Sequence, residues 1–141
     1  MSNLSIRAFK PNDQTEVINL WVKCGLVVPH NDPAKDIELK QYVNNEWFFV
    51  GEVEGVIVAT CMAGYEGHRG CINYLAVDPD HQGSGIGRSI MEKAEEVLIE
   101  VGCPKINLLV RSTNTQVLDF YEALGYSDNN CISLGKRLIQ D

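Results

Sequence analysis

Hydrophobic and polar positions recur with two different periods along the chain, and each change of period marks a new element. Residues 4–9 alternate apolar and polar side chains, which predicts a first strand. After Pro11 the apolar positions recur every three or four residues until Gly25, which predicts a helix that ends at that glycine. Asp32 stands before a proline and so predicts the start of a second helix, extending to about residue 45.

Three apolar segments follow with short turns between them. Residues 47–53 and 56–63 are separated by Glu54 and Gly55, a pair typical of a two-residue hairpin turn. Residues 71–77 come after a second turn that contains glycine. The pattern predicts an antiparallel meander of three strands.

The rest of the chain alternates helical and extended patterns. Residues 86–101 carry an apolar face and predict a helix, and a right-handed crossover then makes the strand predicted over residues 105–111 parallel to the last meander strand. Asn114 is a candidate N-cap of a last helix, and final strands are predicted at Tyr126 and over residues 131–138. The predicted fold class is α/β (α+β), a mixed, mostly antiparallel, twisted sheet of about seven strands flanked by about four helices.

Length and charge restrict the function classes. The 141 residues predict one domain over residues 1–141, and the net charge of −7 argues against nucleic acid as a ligand but agrees with an amine substrate. No apolar run could span a bilayer and no signal-peptide pattern is present, so we expect a cytoplasmic protein with no membrane partner. The five cysteines are widely spaced, which predicts small, mostly buried residues and neither disulfides nor a metal site. The oligomeric state stays open, a homodimer included.

The segment that joins the last meander strand to the long helix is rich in glycine. Asp78 and Pro79 end the apolar run, and three glycines then alternate with small residues. The first amides of a helix have no partner within it, and glycines let the backbone approach an anion closely. The segment therefore predicts a phosphate or pyrophosphate cradle. A dinucleotide fingerprint would need its third glycine where Arg88 stands, and the Gly-Lys-Ser/Thr of a Walker loop is absent.

Two motifs resemble the signatures of the GCN5-related N-acetyltransferase (GNAT) family. The first matches the family pattern Gln/Arg-x-x-Gly-x-Gly/Ala with the residues Gln82, Gly83, Ser84, Gly85, Ile86 and Gly87. The pattern Leu-x-Val-x-Pro commonly precedes it, and here this part is Leu75, Ala76, Val77, Asp78 and Pro79. The second, Asn114, Val117, Phe120, Tyr121, Gly125 and Tyr126, is similar to Asn-x-x-Ala-x-x-Phe-Tyr-x-x-x-Gly-Phe. Residues 29–37, 64–70, 102–106 and 133–139 further resemble the small bacterial YpeA-like acetyltransferases.

The resemblance implies the GNAT fold and an N-acetyltransferase that passes the acetyl group of acetyl-CoA directly to an amine acceptor, without a metal. The acceptor would be a peptide or protein N-terminus or a small-molecule amine. The residues implied in acetyl-CoA binding are Leu75, Ala76, Val77, Gln82, Gly83, Ser84, Gly85, Ile86, Gly87, Arg88, Ser89, Asn114 and Tyr121. The strands ending at Val77 and Val110 would splay to admit the cofactor arm. The alternative function is a non-catalytic acyl-CoA-binding or regulatory module.

The resemblance also implies individual roles. A backbone N–H, with Val77 as the best candidate, would polarise the thioester carbonyl. Tyr121, which its spacing alone would place in the core, would protonate the departing thiolate.

The general base and the acceptor site are less defined. Asn73 stands where many family members carry a glutamate, which leaves a positioned water or another residue to take the proton. Glu66 and His68 are considered as the base and as substrate contacts. Asp32 and Asp36 are candidates to hold an ammonium group, although helix capping explains Asp32 more simply.

Overall fold

A five-stranded sheet with the order β1-β2-β3-β4-β5 organises the first part of the chain. Its strands are Leu4–Ala8 (β1), Phe48–Val53 (β2), Val56–Tyr65 (β3), Gly70–Val77 (β4) and Ile106–Asn107 (β5). The helices are Gln14–Lys23 (α1), Pro33–Lys40 (α2), Ile86–Glu100 (α3) and Thr115–Ala123 (α4), with short 3₁₀ turns at Pro11–Asp13, Asn45–Trp47 and Pro79–His81. The first four strands pair antiparallel and β4 pairs with β5 in parallel, which confirms the predicted mixed sheet.

The computed structural model describes residues 3–29 and 31–139. They fall into two compact units, one up to Asn107 and one from Leu108, and each is described by itself. His30, within the stretch that resembles the YpeA-like proteins, lies outside the described residues. The single domain over residues 1–141 stays a prediction. No helix of the described part is long and apolar enough to cross a membrane.

Helices cover both faces of the sheet because its strands alternate side chains between them. Val50 of β2 belongs to a buried cluster with Trp21 of α1 and Ile37 of α2. A Cβ on the next residue, Gly51, would instead come within 4.0 Å of Ile90 Cδ1 in α3. Strand β3 is buried along nearly its whole length between α1 and α2 on one face of the sheet and α3 on the other. The meander is therefore packed on both faces.

The hairpin and the second helix show how local chemistry sets the boundaries. Glu54 and Gly55 both have positive φ, 52° and 79°, as a type I′ turn requires, which confirms the predicted hairpin. Helix α2 ends at Lys40 and not near residue 45. Asn44 takes a left-handed conformation with φ of 47°, which a continuing α-helix does not accommodate.

The predicted strands at the end of the chain are wrong. Strand β5 covers only Ile106–Asn107, and no strand is described beyond it, which leaves five strands where about seven were expected. Ile132 and Leu134 are 87% and 90% exposed, so the alternating pattern after residue 130 is not matched by a partner strand among the described residues. An alternating sequence forms a strand only where the edge of another strand is available to hydrogen-bond with its backbone.

The cysteines differ in their environments more than their apolar neighbours suggest. Cys61 is fully buried in β3, and burial raises the pKa of its thiol to about 12. Cys71 and Cys131 are exposed, so the expectation of mostly buried cysteines is wrong. All five are free thiols.

Candidate active site

The glycine-rich segment leaves β4 and enters α3 through two left-handed residues. Gly83 and Gly85 have φ of 85° and 83°, a region that strains residues with a Cβ. A Cβ at either position would meet no atom within 4 Å, so the segment is open above its backbone. Ser89 N donates to Gly85 O at 3.0 Å, which fixes Gly85 as the N-cap of α3. The positive end of the helix dipole therefore lies at an open, glycine-lined turn.

Side chains of the same segment fasten it to the end of β4. Gln82 Nε2 donates to Val77 O at 3.2 Å, and the hydroxyl of Ser84 donates to His81 O at 2.7 Å. Ile86 and Gly87 are buried in the first turn of α3. The residues of the predicted cradle thus form two groups. Ile86 and Gly87 are buried and anchor the helix, whereas residues 82–85 form a turn that is exposed to solvent.

Strand β4 continues past the point where its partner ends. Its pairing with β5 stops at the pair Cys71 and Asn107, whereas β4 extends to Val77. Asp78 N donates to Val58 O at 2.7 Å, so by strand alternation the N–H of Val77 points away from β3. Over residues 72–77 that edge of β4 has no strand partner in the described part of the chain. It is the edge along which the resemblance places the cofactor arm.

A β-bulge interrupts β4 at Tyr74. The register shifts between Thr60 and Met62, which places Tyr74 and Leu75 opposite the single residue Cys61. Tyr74 has φ of 51°, a conformation that is rare for an aromatic residue. The bulge redirects the strand just before Leu75 and Val77.

Buried polar contacts hold the bulge in place. The indole Nε1 of Trp21 donates to the hydroxyl of Thr60 at 2.8 Å, and that hydroxyl donates to Tyr74 O at 2.8 Å. The rings of Trp21 and Tyr74 stack at a centroid distance of 3.9 Å. Helix α1 and strand β3 therefore fix both the backbone and the side chain of Tyr74.

A cavity of about 740 Å³ lies beside the bulge. Its polar lining includes Asp36, Lys40, Glu66, Arg69, Asn73 and Tyr74. The hydroxyl of Tyr74 donates to Asp36 Oδ2 at 2.5 Å, and burial followed by this contact raises the pKa of Tyr74 above its usual range. Lys40 Nζ donates to Ala63 O at 2.5 Å, and burial lowers the pKa of Lys40.

The predicted acceptor residues separate in the structure. Glu66 lines the cavity and accepts a hydrogen bond from Arg69 N at 3.1 Å, whereas His68 is exposed and is not part of the lining. Asp32 caps α2 by accepting from Lys35 N at 3.1 Å, which confirms the capping interpretation. Asp32 borders a different cavity, of about 420 Å³. Of the two aspartates considered, only Asp36 faces the cavity beside the bulge.

Tyr74 is the residue that sequence reasoning missed. It follows Asn73 directly, yet strand alternation alone assigns it to the core, and nothing in the sequence indicates its bulged backbone. Its contact with Asp36 joins residues that are 38 positions apart.

The second unit contains the remaining predicted residues. Tyr121 of α4 is 8% exposed, and its ring contacts Phe120 and Tyr126 edge-on at 5.1 and 5.5 Å. Asn114 occupies the N-cap position, where its carbonyl accepts from Leu118 N at 3.1 Å, but its side chain makes no capping hydrogen bond. The buried position of Tyr121 suits the core role that its spacing indicates and does not by itself test the catalytic role.

No group of three or more His, Cys, Asp or Glu side chains that could hold a metal occurs in residues 3–29 and 31–139. In the part of the chain that the structure describes, the site consists of a helix N-terminus, a strand edge without a strand partner and a polar cavity. This arrangement can hold an anionic group at one end of β4 and a polar small molecule beside its bulge.

The sequence is similar to those of known acetyltransferases. The acetyltransferase (GNAT) family model matches residues 13–126. Acetyltransferase ECA0875 of Pectobacterium atrosepticum is 48% identical over 138 residues, which cover 98% of each chain.

Solved structures agree at the level of the fold. The ribosomal-protein-S18-alanine N-acetyltransferase of Escherichia coli superposes with a TM-score of 0.73 at 21% identity, covering 86% of this chain and 76% of that one. The protein AAC(6')-Iy, solved in complex with the bisubstrate analogue CoA-S-monomethyl-acetylneamine, has a TM-score of 0.77 at 15% identity over 98% of this chain and 100% of that one. The family match over most of the length, the relative that is nearly half identical and the shared fold lead to one conclusion: the chain belongs to the GNAT family of acetyltransferases.

Proposed function

We propose that the protein is an N-acetyltransferase that transfers the acetyl group of acetyl-CoA directly to an amine acceptor. The observation that carries this proposal is the continuity between the unpaired edge of β4 and the open glycine turn at the N-terminus of α3. One feature suits an extended pantetheine arm and the other a pyrophosphate, and acetyl-CoA contains both. Family membership supports acetyl transfer as the reaction.

The glycine turn is proposed to hold the pyrophosphate through its backbone. Gln82 through Gly87 would supply N–H groups at a helix N-terminus, where partial positive charge attracts phosphate oxygens, with Arg88 and Ser89 near the pyrophosphate. The absence of any atom within 4 Å of a Cβ at Gly83 or Gly85 leaves room for those oxygens. Arg88 is exposed in the first turn of α3 and adds a positive charge.

The acetyl end is proposed to lie along Leu75, Ala76 and Val77. A backbone N–H of this edge, with Val77 as the first candidate, would stabilise the oxyanion that forms on the thioester carbonyl. Tyr121 would give its proton to the thiolate of CoA, because a phenol with a pKa of about 10 is still protonated when a thiol of pKa about 8.5 departs. Asn114 would contact the pantetheine.

The cavity beside the bulge is the proposed acceptor site. It lies on the described part of the sheet next to Asn73 and Tyr74, at the strand that would carry the thioester. A free peptide or protein N-terminus and a small-molecule amine are both acceptors of the proposed kind. The similarity of residues 64–70 and 133–139 to the YpeA-like proteins supports placing the chain in that subgroup of the family.

A panel of amines tests the proposal. Release of free CoA from acetyl-CoA is measured with spermidine, L-lysine, an aminoglycoside and a peptide with a free N-terminal alanine, and the acetylated product is identified by mass spectrometry. We expect CoA and acetylated amine in equal amounts with at least one acceptor. Asn73 in place of an acid favours the rival function, an acyl-CoA-binding module, which would bind acetyl-CoA in calorimetry and release no CoA above the rate of hydrolysis.

A further inference from the structure

The hydrogen bond between Tyr74 and Asp36 joins a strained strand residue to a helix that caps the acceptor cavity. Its length of 2.5 Å is typical of a strong O–H donor to a carboxylate. Tyr74 cannot rotate freely, since its ring stacks on Trp21 and its carbonyl accepts from Thr60. The carboxylate of Asp36 is consequently oriented by a group that is itself fixed by the core.

The charged groups around Asp36 leave its carboxylate without a cation. Lys40 lies one helical turn further along α2, yet its ammonium donates to Ala63 O. Arg69, across the cavity, donates through Nη1 to the carbonyl of His68. The remaining cation of α2, Lys35, pairs with Glu38 at 3.6 Å. The other titratable groups of the cavity and of α2 near Asp36 are Asp32, Glu66, Tyr65 and Cys71. Among the described residues, no ion pair involves Asp36 and only its Oδ2 has a hydrogen-bond partner, so Oδ1 remains for a ligand.

Tyr74 itself is unsuited to accept a proton. Its partly buried hydroxyl already donates to Asp36, and its raised pKa keeps it protonated at neutral pH. A carboxylate is the only one of the two groups that can bind an amine and take a proton from it. The cavity is also lined by the apolar residues Leu39, Val43 and Met62, which suits an amino group carried on an aliphatic skeleton.

We infer that Asp36 is the general base of the acetyl transfer and that Tyr74 is its positioning residue. This inference rests on the proposed function. The nitrogen lone pair of the acceptor forms the C–N bond with the thioester carbon, and the proton that this nitrogen then loses passes to Asp36 and on to solvent. The C–S bond breaks, and the departing thiolate takes up one proton, so that amine and acetyl-CoA become amide and CoA. Asp36 thus supplies the function that the glutamate missing at Asn73 has in related enzymes.

Kinetics of an alanine variant and its chemical rescue test this inference. We expect Asp36→Ala to lower kcat/KM for the amine about 100-fold or more, with the Kd of acetyl-CoA unchanged. Added formate, which supplies a carboxylate in the space left by Asp36, should restore part of kcat. Asp32→Ala is the control, because Asp32 is the N-cap residue of the same helix, four residues before Asp36, and is outside the lining of this cavity. It should lower stability without a comparable loss of kcat or any response to formate.

Two further variants separate the candidates. Tyr74→Phe keeps the ring stacked on Trp21 and removes only the hydroxyl, so kcat should fall about tenfold with an unchanged Kd for acetyl-CoA. Glu66→Ala, which removes the other carboxylate of the cavity lining, is the comparison, and formate should not restore its kcat. If the large loss and the formate rescue belong to Glu66→Ala, or if Asp36→Ala keeps its activity, the inference is overturned.

Binding measurements distinguish this inference from the proposed function. The affinities of spermidine, L-lysine and the alanine peptide are measured by calorimetry for the unaltered protein and for Asp36→Ala. If the unaltered protein binds an amine that Asp36→Ala does not bind, yet releases no CoA, Asp36 binds amines, but acetyl transfer and the role of Asp36 as its base are both wrong. If CoA is released and Asp36→Ala is fully active, acetyl transfer stands and the role of Asp36 is wrong. If no amine binds and no CoA is released, both are rejected.

Discussion

The hydroxyl of Thr60 lies between two partners, accepting from Trp21 Nε1 and donating to the carbonyl of Tyr74, each at 2.8 Å. Thr60 and Trp21 are both fully buried, so the indole N–H could not turn to water if the hydroxyl were lost. This one side chain joins helix α1 to the bulge of β4. The bulge in turn sets the direction of the strand edge proposed to bind the thioester.

Thr60→Val is expected to lower the free energy of unfolding by about 2 kcal/mol, because it leaves the buried indole N–H of Trp21 and the carbonyl of Tyr74 without this partner. The two side chains have nearly the same shape, so packing is not the cause. Urea denaturation at neutral pH measures the change. Thr60→Ser keeps the hydroxyl, so its free energy of unfolding should fall much less. Equal losses of unfolding free energy in the two variants would show that the hydrogen bonds are not responsible.

Gly85→Ala tests the anion cradle with a control on the same helix. Gly85 precedes the N-terminus of α3 and Gly102 follows its C-terminus, both have φ of 83°, and a Cβ at either meets no atom within 4 Å. Alanine should therefore cost each position a similar backbone strain of about 1 kcal/mol. Only Gly85→Ala places a methyl group in the proposed phosphate position, so only its Kd for acetyl-CoA should rise, by about tenfold. Calorimetry that finds equal affinities for the two variants would contradict the cradle.

Tyr121→Phe is expected to lower kcat by about 10- to 100-fold with little change in the Kd of acetyl-CoA, since it removes the proposed proton donor and keeps the ring. The ring contacts with Phe120 and Tyr126 should survive, so the thermal midpoint serves as the control for folding. Pre-steady-state release of CoA separates the chemical step from product release. Turnover equal to that of the unaltered protein would exclude Tyr121 as the donor.

The loss of stability at acid pH should depend on Asp13. Arg7 donates to both of its carboxylate oxygens, at 2.8 and 3.0 Å, and Lys10 N donates at 2.8 Å. The hydrogen bonds from Arg7 are the main cause that holds the pKa of Asp13 below its usual value. The folded-state pKa lies below the unfolded value of about 3.9, so the stabilisation is complete above that pH and is lost as the pH falls through the folded-state pKa.

Asp13→Asn should accordingly lose about 2 kcal/mol of unfolding free energy near pH 7 and show a weaker dependence on acid than the unaltered protein. Urea denaturation near pH 7 and near pH 3 measures both quantities. Glu52→Gln, which removes the other carboxylate bound to Arg7, is the comparison. If the free energy of unfolding falls equally with decreasing pH in the unaltered protein and in Asp13→Asn, other carboxylates are responsible for the loss of stability in acid.

The sequence patterns correctly predicted the turns and helix caps, whose conformations depend on residues close together in the chain. The hairpin at Glu54 and Gly55 and the capping of α2 by Asp32 each depend on residues a few positions apart. The glycine turn before α3 is of the same kind. The failures lie where partners are distant, as in the strands expected after residue 130 and the length of β5, because a strand exists only where another strand pairs with it.

The sequence by itself determined the meander, the glycine turn and, through its two motifs, the family. It determined them because turn chemistry, apolar periodicity and motif spacing are properties of neighbouring residues. Only the tertiary structure decided that Tyr74 bulges out of β4 and contacts Asp36, and that Asp36 and not Asp32 faces the acceptor cavity. The physical reason is that this site is built from contacts between α1, α2, β3 and β4, whose side chains meet only after the sheet has packed against its helices.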